Sequence, residues 1–155
     1  MGIAEEVEIV PLRLTDDAMA KLLEFDADSQ RINFPHDSPN PAETSARIRA
    51  EYADEPTGMF LITHRGAIVG CLFLKTKHNP YRGCHFLDLR DIYLTASYRG
   101  QRIGAKLLAF MEDYARKKGC RYLYLGTSWE NGPARALFSS FGFRPTRIIM
   151  EKELG

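Results

Sequence analysis

The segment most able to bind an anion is the glycine-bearing heptad at residues 99–105. Its sequence is Arg-Gly-Gln-Arg-Ile-Gly-Ala, and it joins a predicted strand to a predicted helix. Glycines let such a loop turn its backbone N–H groups towards one point. The helix behind it adds unpaired amides and a partial positive charge. The heptad is therefore predicted to hold a phosphate or a diphosphate.

Two common phosphate-binding loops do not match this heptad. A P-loop needs a Lys followed by Ser or Thr after its last glycine, and here Ala105 follows Gly104. A dinucleotide-binding fingerprint needs three glycines spaced G-x-G-x-x-G, and only Gly100 and Gly104 are present. Neither of these loops explains the heptad.

The heptad does resemble the acyl-CoA loop of the GNAT family of N-acetyltransferases, written Q/R-x-x-G-x-G/A. Arg99 takes its first position and Gly104 its second glycine, whereas Arg102 stands where the family usually has the first glycine. Residues 131–143 resemble the second signature of that family, N-x-x-A-x-x-L-Y-x-x-x-G-F. Both signatures occur in the expected order, and by this resemblance the chain is identified as a member of the family.

The elements that position these motifs follow from hydrophobic periodicity and from turn and cap residues. Strands are predicted at 8–14, 59–64, 67–76, 84–94, 121–128 and 147–154. Helices are predicted after the caps Thr15, Asn40 and Asn131 and from about Arg102, with a polar loop at 28–40. The fold class is α/β (mixed α+β), with a mixed, mostly antiparallel central sheet and helices on both faces. The resemblance further implies that strands 86–94 and 121–128 splay apart.

Length and composition bound the class of protein. A chain of 155 residues predicts a single domain, here 1–155, with one sizeable core. A net charge of +1 argues against nucleic acid or membrane as partners. Because no long apolar run or signal peptide occurs, a cytoplasmic location is expected. The three scattered cysteines suggest reduced thiols, and no metal site is expected.

The resemblance implies acetyl-CoA as co-substrate. The backbone of Ile92 and Leu94 is then expected to bind pantetheine. The second signature implies donor contacts from Asn131, Ala134 and Phe138, although Asn131 is equally explained as a helix N-cap. The expected diphosphate contacts come from the loop: Arg99, Gly100, Gln101, Arg102, Ile103, Gly104 and Ala105. For the two arginine side chains, simple solvation is an equal alternative.

Phe138 is a departure in the expected chemistry. The family places a Tyr there as general acid near the sulfur of CoA, and a phenylalanine cannot donate a proton. Three readings stay open. The thiolate leaves without a dedicated acid, another phenol such as Tyr93 or Tyr124 replaces it, or the protein binds acyl-CoA without transferring the acyl group. In the first two, the backbone N–H of Leu94 is expected to polarise the thioester carbonyl.

Strand 84–94 carries the candidate base. Alternation places Leu87, Leu89, Asp91 and Tyr93 on one face, and Asp91 is the first choice for the base or for binding the amine. An ion pair with a basic neighbour such as Arg90 explains Asp91 equally well.

Three further residues are candidates for the acceptor site. Asp88 is the second choice among the carboxylates of strand 84–94, and Phe34 and Trp129 are weaker substrate contacts. For Trp129, packing at the rim of the sheet is the alternative.

The leading functional hypothesis is an acetyl-CoA-dependent N-acetyltransferase acting on a primary amine of a small molecule or peptide, by direct attack in a ternary complex. The alternative is a non-catalytic acyl-CoA-binding sensor or regulatory module of the same fold. The resemblance also implies a homodimer, which is usual in such proteins. Nothing in the sequence chooses the acceptor.

Overall fold

The computed structural model describes residues 2–155 and contains one five-stranded sheet in the order β1-β2-β3-β4-β5. The strands are β1 (Val7–Pro11), β2 (Met59–His64), β3 (Ala67–Asn79), β4 (Cys84–Leu94) and β5 (Tyr122–Tyr124). The first four pair antiparallel, and β5 pairs parallel with β4. The predicted mixed, mostly antiparallel sheet is confirmed.

Over residues 2–155, five α-helices pack on the sheet: α1 (Ile3–Glu6), α2 (Asp16–Asn33), α3 (Pro41–Asp54), α4 (Ile103–Lys117) and α5 (Gly132–Ser140). Helix α2 begins at the predicted cap, where the Ala18 N–H donates to Thr15 Oγ1 at 3.2 Å. The prediction of a loop from residue 28 was wrong at its start, because α2 continues to Asn33. No glycine or proline interrupts the helical pattern before Pro35.

The helices lie on both faces of the sheet, and each face has its own hydrophobic core. Helix α4 covers one face, where Ile62, Leu87 and Leu107 are buried. Helices α2 and α3 cover the other face, where Phe25 and Ile48 pack against sheet residues. Within residues 2–155, no helix combines the length and the apolar character that crossing a bilayer requires.

The C-terminal part of the sheet is shorter than the sequence pattern indicates. The strand predicted at 121–128 ends at Tyr124, and the strand predicted at 147–154 does not form. Residues 144–155 are all exposed. A strand needs a partner for its backbone groups, and within residues 2–155 nothing pairs with the outer edge of β5.

A bulge at Arg90 interrupts β4. Leu89 lies opposite Leu74 and Asp91 lies opposite Phe73, so Arg90 has no counterpart in β3. An extra residue of this kind reverses the faces to which the following side chains point.

This bulge corrects the predicted faces of β4. Strict alternation grouped Leu87 and Leu89 with Asp91 and Tyr93. In the structure Leu87 and Leu89 pack under α4, whereas Tyr93 packs on the face covered by α2 and α3. Asp91 shares that second face, since its charged neighbours belong to α2 and α3.

A substitution at Gly70 in β3 tests how closely β3 packs against the end of β4. A Cβ at this position would lie 2.2 Å from the backbone oxygen of Tyr93 and 3.1 Å from Leu94 Cδ2. Gly70→Ala is therefore expected to lower the free energy of unfolding by about 2 kcal/mol or more. At Gly126 a Cβ would meet no atom within 4 Å, so Gly126→Ala is the matched control. It is expected to change the free energy of unfolding by less than about 0.5 kcal/mol. Urea denaturation measures both, and equal stabilities would contradict the close contact.

Candidate active site

The strands β4 and β5 pair only over a short stretch and then part. Phe86 lies opposite Tyr122 and Asp88 lies opposite Tyr124, which is the last pair. Beyond it β4 continues to Leu94 without a strand on that side. We call the gap between residues 89–94 and residues 125–128 the wedge.

Backbone groups of β4 point into the wedge. The Thr95 N–H donates to the Val69 oxygen at 2.9 Å, so in this antiparallel ladder the backbone N–H and C=O of Tyr93 also point towards β3. Because these directions alternate along a strand, the backbone N–H and C=O groups of Ile92 and Leu94 point the other way, into the wedge. The Leu94 oxygen already accepts from Arg99 Nε at 2.8 Å. The Leu94 N–H is a donor available for a ligand.

The loop after β4, residues 99–105, has the shape that anion binding requires, and we call it the anion cradle. Gly100 has a φ of 74° and Arg102 a φ of 64°, both left-handed. The second value explains why a glycine is usual at position 102, since a side chain is strained there. The first amides of α4, from Ile103 to Ala105, have no intrahelical partner, and no side chain caps them.

The first turn of α4 suits an anionic group. It carries no acidic side chain, and its N-terminus adds the positive end of the helix dipole. A Cβ at Gly104 would lie 2.9 Å from Leu137 Cδ2, so this glycine lets α4 pack closely against α5. These residues fit a diphosphate at the mouth of the wedge.

Two loop side chains point away from the expected diphosphate position. Arg99 donates to the Leu94 oxygen and pairs with Asp28 of α2 at 3.3 Å. Gln101 Nε2 donates to the Ser97 oxygen at 2.7 Å. In this conformation the loop backbone, rather than the Arg99 side chain, is left available to an anion.

The second signature forms the start and core-facing side of α5. Asn131 Oδ1 accepts the Ala134 N–H at 3.2 Å, which makes Asn131 the predicted N-cap. Phe138 is buried in the core under α4, with its ring centroid 5.8 Å from that of Phe143. Phe138 thus has the surroundings of a packing residue.

Asp91 has the electrostatics of a base. The pKa of its carboxyl is raised to about 6, mainly by burial. The Arg47 charge and the Ile92 N–H lower this pKa, while the neighbouring Asp26 and Glu51 raise it. Near neutral pH the carboxylate is ionised and able to take a proton.

Arg47 is held beside Asp91 by two other carboxylates. It pairs with Asp26 at 3.1 Å and with Glu51 at 3.4 Å. Asp26 and Arg47 also line an open groove of about 270 Å³ between α2 and α3, and Phe34 lies in its lining. The structure therefore brings Phe34 and the neighbours of Asp91 to one groove.

Asp88 and Trp129 are placed apart from that groove. Asp88 is only 5% exposed and accepts from Lys77 Nζ at 2.7 Å, with Arg90 at 3.6 Å. These ion pairs explain how a carboxylate is tolerated in this buried position. Trp129 is 73% exposed, and the Arg135 guanidinium lies 4.5 Å from its ring centroid.

Sequence reasoning did not find Asp28. Its carboxylate accepts a hydrogen bond from the Tyr93 phenol and also pairs with Arg99. Burial, and then this hydrogen bond, raise the pKa of Tyr93 to about 12. The same bond lowers the pKa of Asp28. Asp28 lay in the predicted loop, and only the extension of α2 brings it to β4.

Arg102 offers a test of the loop geometry. Arg102→Gly removes a side chain from a left-handed position, so the free energy of unfolding is expected to rise by about 1 kcal/mol. Arg102→Ala removes the same charge and keeps the strain, so it is expected to give no gain. Thermal or urea denaturation of the two variants checks this. A gain from Ala equal to that from Gly would mean that the strain is absent.

The proteins similar in sequence to this chain include two N-acetyltransferases. A probable N-acetyltransferase 14 from Xenopus tropicalis is 34% identical over 79 residues, covering 51% of this chain and 36% of that protein. An aminoalkylphosphonate N-acetyltransferase from Salmonella typhimurium is 24% identical over 94 residues, covering 61% of each. The chain thus spans less than two thirds of the length of either relative.

Solved structures of low identity share the fold. A possible acetyltransferase from Clostridium difficile 630 superposes with a TM-score of 0.77 at 18% identity, over 96% of this chain and 97% of that one. A chain of the NatC complex bound to Gag peptide and CoA gives a TM-score of 0.73 at 19% identity, over 92% and 87%.

The model of one protein family matches most of the chain. It is described as the acetyltransferase (GNAT) family, and it matches residues 20–143. That range contains the wedge, the loop at 99–105 and the second signature up to Phe143. The chain belongs to the GNAT acetyltransferase family.

Proposed function

We propose that this protein is an acetyl-CoA-dependent N-acetyltransferase that moves an acetyl group to a primary amine of a small molecule or peptide. The observation that carries the proposal is the wedge, which opens beside the unpaired amides at the start of α4. The wedge suits an extended arm bearing amide groups, and the amides suit a diphosphate. Coenzyme A combines both groups.

The donor is held by backbone groups. Ile92 and Leu94 pair with the amides of the pantetheine arm, and the N–H groups of residues 100–105 hold the diphosphate. Asn131 caps α5 with its side-chain oxygen, and its side-chain NH₂ group can then donate to the pantetheine arm. Acetyl-CoA itself supplies the activated thioester.

The transfer takes place in a ternary complex. The amine nitrogen attacks the thioester carbonyl carbon, whose developing oxyanion is stabilised by the Leu94 N–H. Asp91, directly or through a water, takes the proton from the amine. The carbon–sulfur bond then breaks, and its electron pair leaves with the sulfur.

The thiolate leaves without a dedicated acid. A thiol with a pKa of about 8.5 is a tolerable leaving group at neutral pH, and solvent supplies the proton. Phe138 has no proton to give. The Tyr93 hydroxyl donates its hydrogen bond to Asp28, and a pKa of about 12 makes the phenol a weak acid.

The acceptor is a cationic amine. Asp26, Glu51 and Asp91 face the α2–α3 side of the sheet. Arg47 and Arg90, which pairs with Glu51 at 3.5 Å, supply two positive charges against these three carboxylates. A cationic acceptor restores the balance of charge; it releases one proton to solvent before its neutral form attacks, and Asp91 takes the second proton. The Salmonella relative is named for an aminoalkylphosphonate, which supports a small aminated molecule.

The second candidate is a sensor that binds acyl-CoA and performs no transfer. Phe138 favours it, because the usual acid is replaced by a buried packing residue. The remaining parts of the proposal are common to both candidates. Residues 1–155 form one domain that works in the cytoplasm, without a metal ion and without nucleic acid or membrane as a partner.

The two candidates are separated by release of free thiol from acetyl-CoA in the presence of a panel of amines. The enzyme is expected to release thiol in proportion to the acetylated amine, identified by mass spectrometry. Polyamines, aminoglycosides, aminoalkylphosphonates and peptides with a free N-terminus make up the panel. Tight CoA binding without turnover on any of them would favour the sensor.

Asp91→Asn tests the base once an acceptor is found. The rate kcat is expected to fall by about 10²- to 10⁴-fold. In the unmodified protein kcat/KM rises as the pH increases through about 6, because the base works in its ionised form. The variant is expected to lose this rise, and Asp91→Glu to regain part of it.

Glu24→Gln removes an exposed carboxylate of α2 and is the control, with no expected change in rate or pH profile. An Asp91→Asn enzyme with the full rate and the same rise near pH 6 would exclude Asp91 as the base. CoA binding by each variant, measured by calorimetry, shows whether the donor site is intact.

A further inference from the structure

The guanidinium of Arg99 lies between a carboxylate and an aromatic ring that belong to two other elements. Its Nη2 lies 3.3 Å from Asp28 Oδ2 in α2, and its Cζ lies 5.4 Å from the ring centroid of Tyr93 in β4. A carboxylate pairs with a cation, and the face of an aromatic ring attracts one. We call the Asp28 carboxylate and the Tyr93 ring the cation site, whose occupant in this structure is the protein's own Arg99.

The cation site is held in shape by contacts that do not involve Arg99. The Tyr93 ring stacks on the buried ring of Phe25, with centroids 4.7 Å apart and planes inclined by 21°. The Tyr93 hydroxyl donates to Asp28, and this hydrogen bond lowers the pKa of Asp28, so its carboxylate is ionised at neutral pH. The site therefore keeps its shape and its charge when Arg99 moves away.

Arg99 is held at the cation site by weak, exposed contacts. Its side chain is 43% exposed and that of Asp28 is 33% exposed, and an ion pair in such a position contributes little to stability. Its other contact is the hydrogen bond from Nε to the Leu94 oxygen at 2.8 Å. Leu94 is proposed to pair with the amides of the pantetheine arm, so a bound arm competes with Arg99 for this oxygen.

The donor also offers Arg99 a stronger partner. Arg99 is the first residue of the anion cradle, directly before Gly100. A diphosphate carries more negative charge than one carboxylate, and guanidinium groups bind phosphate oxygens with two parallel hydrogen bonds. Asp28, by contrast, already accepts from Tyr93 and from Arg31 at 3.1 Å. We therefore expect the guanidinium to move to the diphosphate when the donor binds, which vacates the cation site.

The vacated site lies beside the place proposed for acetyl transfer. Tyr93 precedes Leu94, whose N–H is proposed to hold the thioester oxygen, and it lies about 7 Å along β4 from Asp91 on the same face. A carboxylate beside an aromatic ring holds the charged form of an amine, whereas the attacking amine must be neutral. The group that fits this site is therefore a different cationic group from the amine that reacts.

We propose that the cation site binds a second cationic group of the acceptor, and that Arg99 occupies this site while the donor is absent. The acceptor class is thereby narrowed to molecules with at least two amine or guanidine groups, such as diamines and polyamines. This inference rests on the proposed function, because it requires CoA in the wedge and an amine as acceptor.

The first test measures CoA affinity by calorimetry in a double-mutant cycle. Asp28→Asn keeps an oxygen that accepts from Tyr93 and removes the charge that competes for Arg99, so CoA is expected to bind about 3-fold more tightly. Arg99→Gln is expected to bind CoA about 10-fold more weakly. With Arg99→Gln already present, Asp28→Asn is expected to give no gain.

Asp113→Asn is the matched control for this cycle. It removes the same charge and breaks an exposed ion pair with Lys117 in α4, at 2.9 Å, and it is expected to leave CoA affinity unchanged. Thermal denaturation checks that each variant is folded. A gain from Asp28→Asn that is equal with and without Arg99 would show that Arg99 does not move to the donor, and the proposal would be wrong.

The second test measures the binding of putrescine, a four-carbon diamine, and of butylamine, its monoamine counterpart. CoA without an acetyl group takes the place of the donor, so binding is measured without turnover. Putrescine is expected to bind about 10-fold more tightly when CoA is present than when it is absent, and butylamine is expected to show no such increase. Asp28→Asn is expected to abolish the preference for putrescine, whereas Asp113→Asn keeps it.

The outcomes separate this inference from the proposed function. If CoA binds and an amine is acetylated, but Asp28→Asn retains the preference for putrescine, the cation site is wrong and the acetyltransferase stands. Equal affinities of putrescine and butylamine in the CoA complex would have the same meaning. An unmodified protein that does not bind CoA would overturn the proposed function and this inference together.

Discussion

Hydrogen bonding between β4 and β5 stops at Asp88 and Tyr124, and the rest of the site depends on this parting. If the two strands stayed paired to their ends, the backbone of Ile92 and Leu94 would be satisfied and no arm could enter. Because β4 runs on alone and turns directly into the loop before α4, one continuous segment presents both the wedge and the anion cradle. The backbone N–H groups proposed to bind CoA are thereby aligned along one segment, and residues 125–128 form the other side of the wedge.

The bulge at Arg90 is the second determinant, because it decides which side chains of β4 face α2 and α3, where the acceptor is proposed to bind. Without the extra residue, Asp91 and Tyr93 would point beneath α4 into an apolar core, where an ionised carboxylate is costly. With it, Asp91 faces the charged groups of α2 and α3, and Tyr93 reaches Asp28. Burial then gives Asp91 a pKa suited to taking a proton near neutral pH.

The local signals in the sequence predicted much of this. The caps at Thr15, Asn40 and Asn131 act within a few residues, and each begins the helix that it predicts. The family follows from the two signatures and the mixed sheet from the order of the predicted strands and helices, and both are confirmed. The bulge at Arg90 could not be predicted, because it arises from the pairing of β4 with a distant strand. The same holds for Asp28, whose contact with Tyr93 spans 65 positions. The absent strand at 147–154 has the right pattern but lacks a partner within residues 2–155.

The central claim is that the wedge and the cradle together bind acetyl-CoA. The most direct measurement is a crystal structure of the protein with CoA bound. The account predicts the diphosphate within hydrogen-bonding distance of the backbone N–H groups of residues 100–105, and the pantetheine arm between β4 and β5 with its amides on Ile92 and Leu94. A diphosphate held elsewhere, or an arm lying outside the wedge, would contradict it.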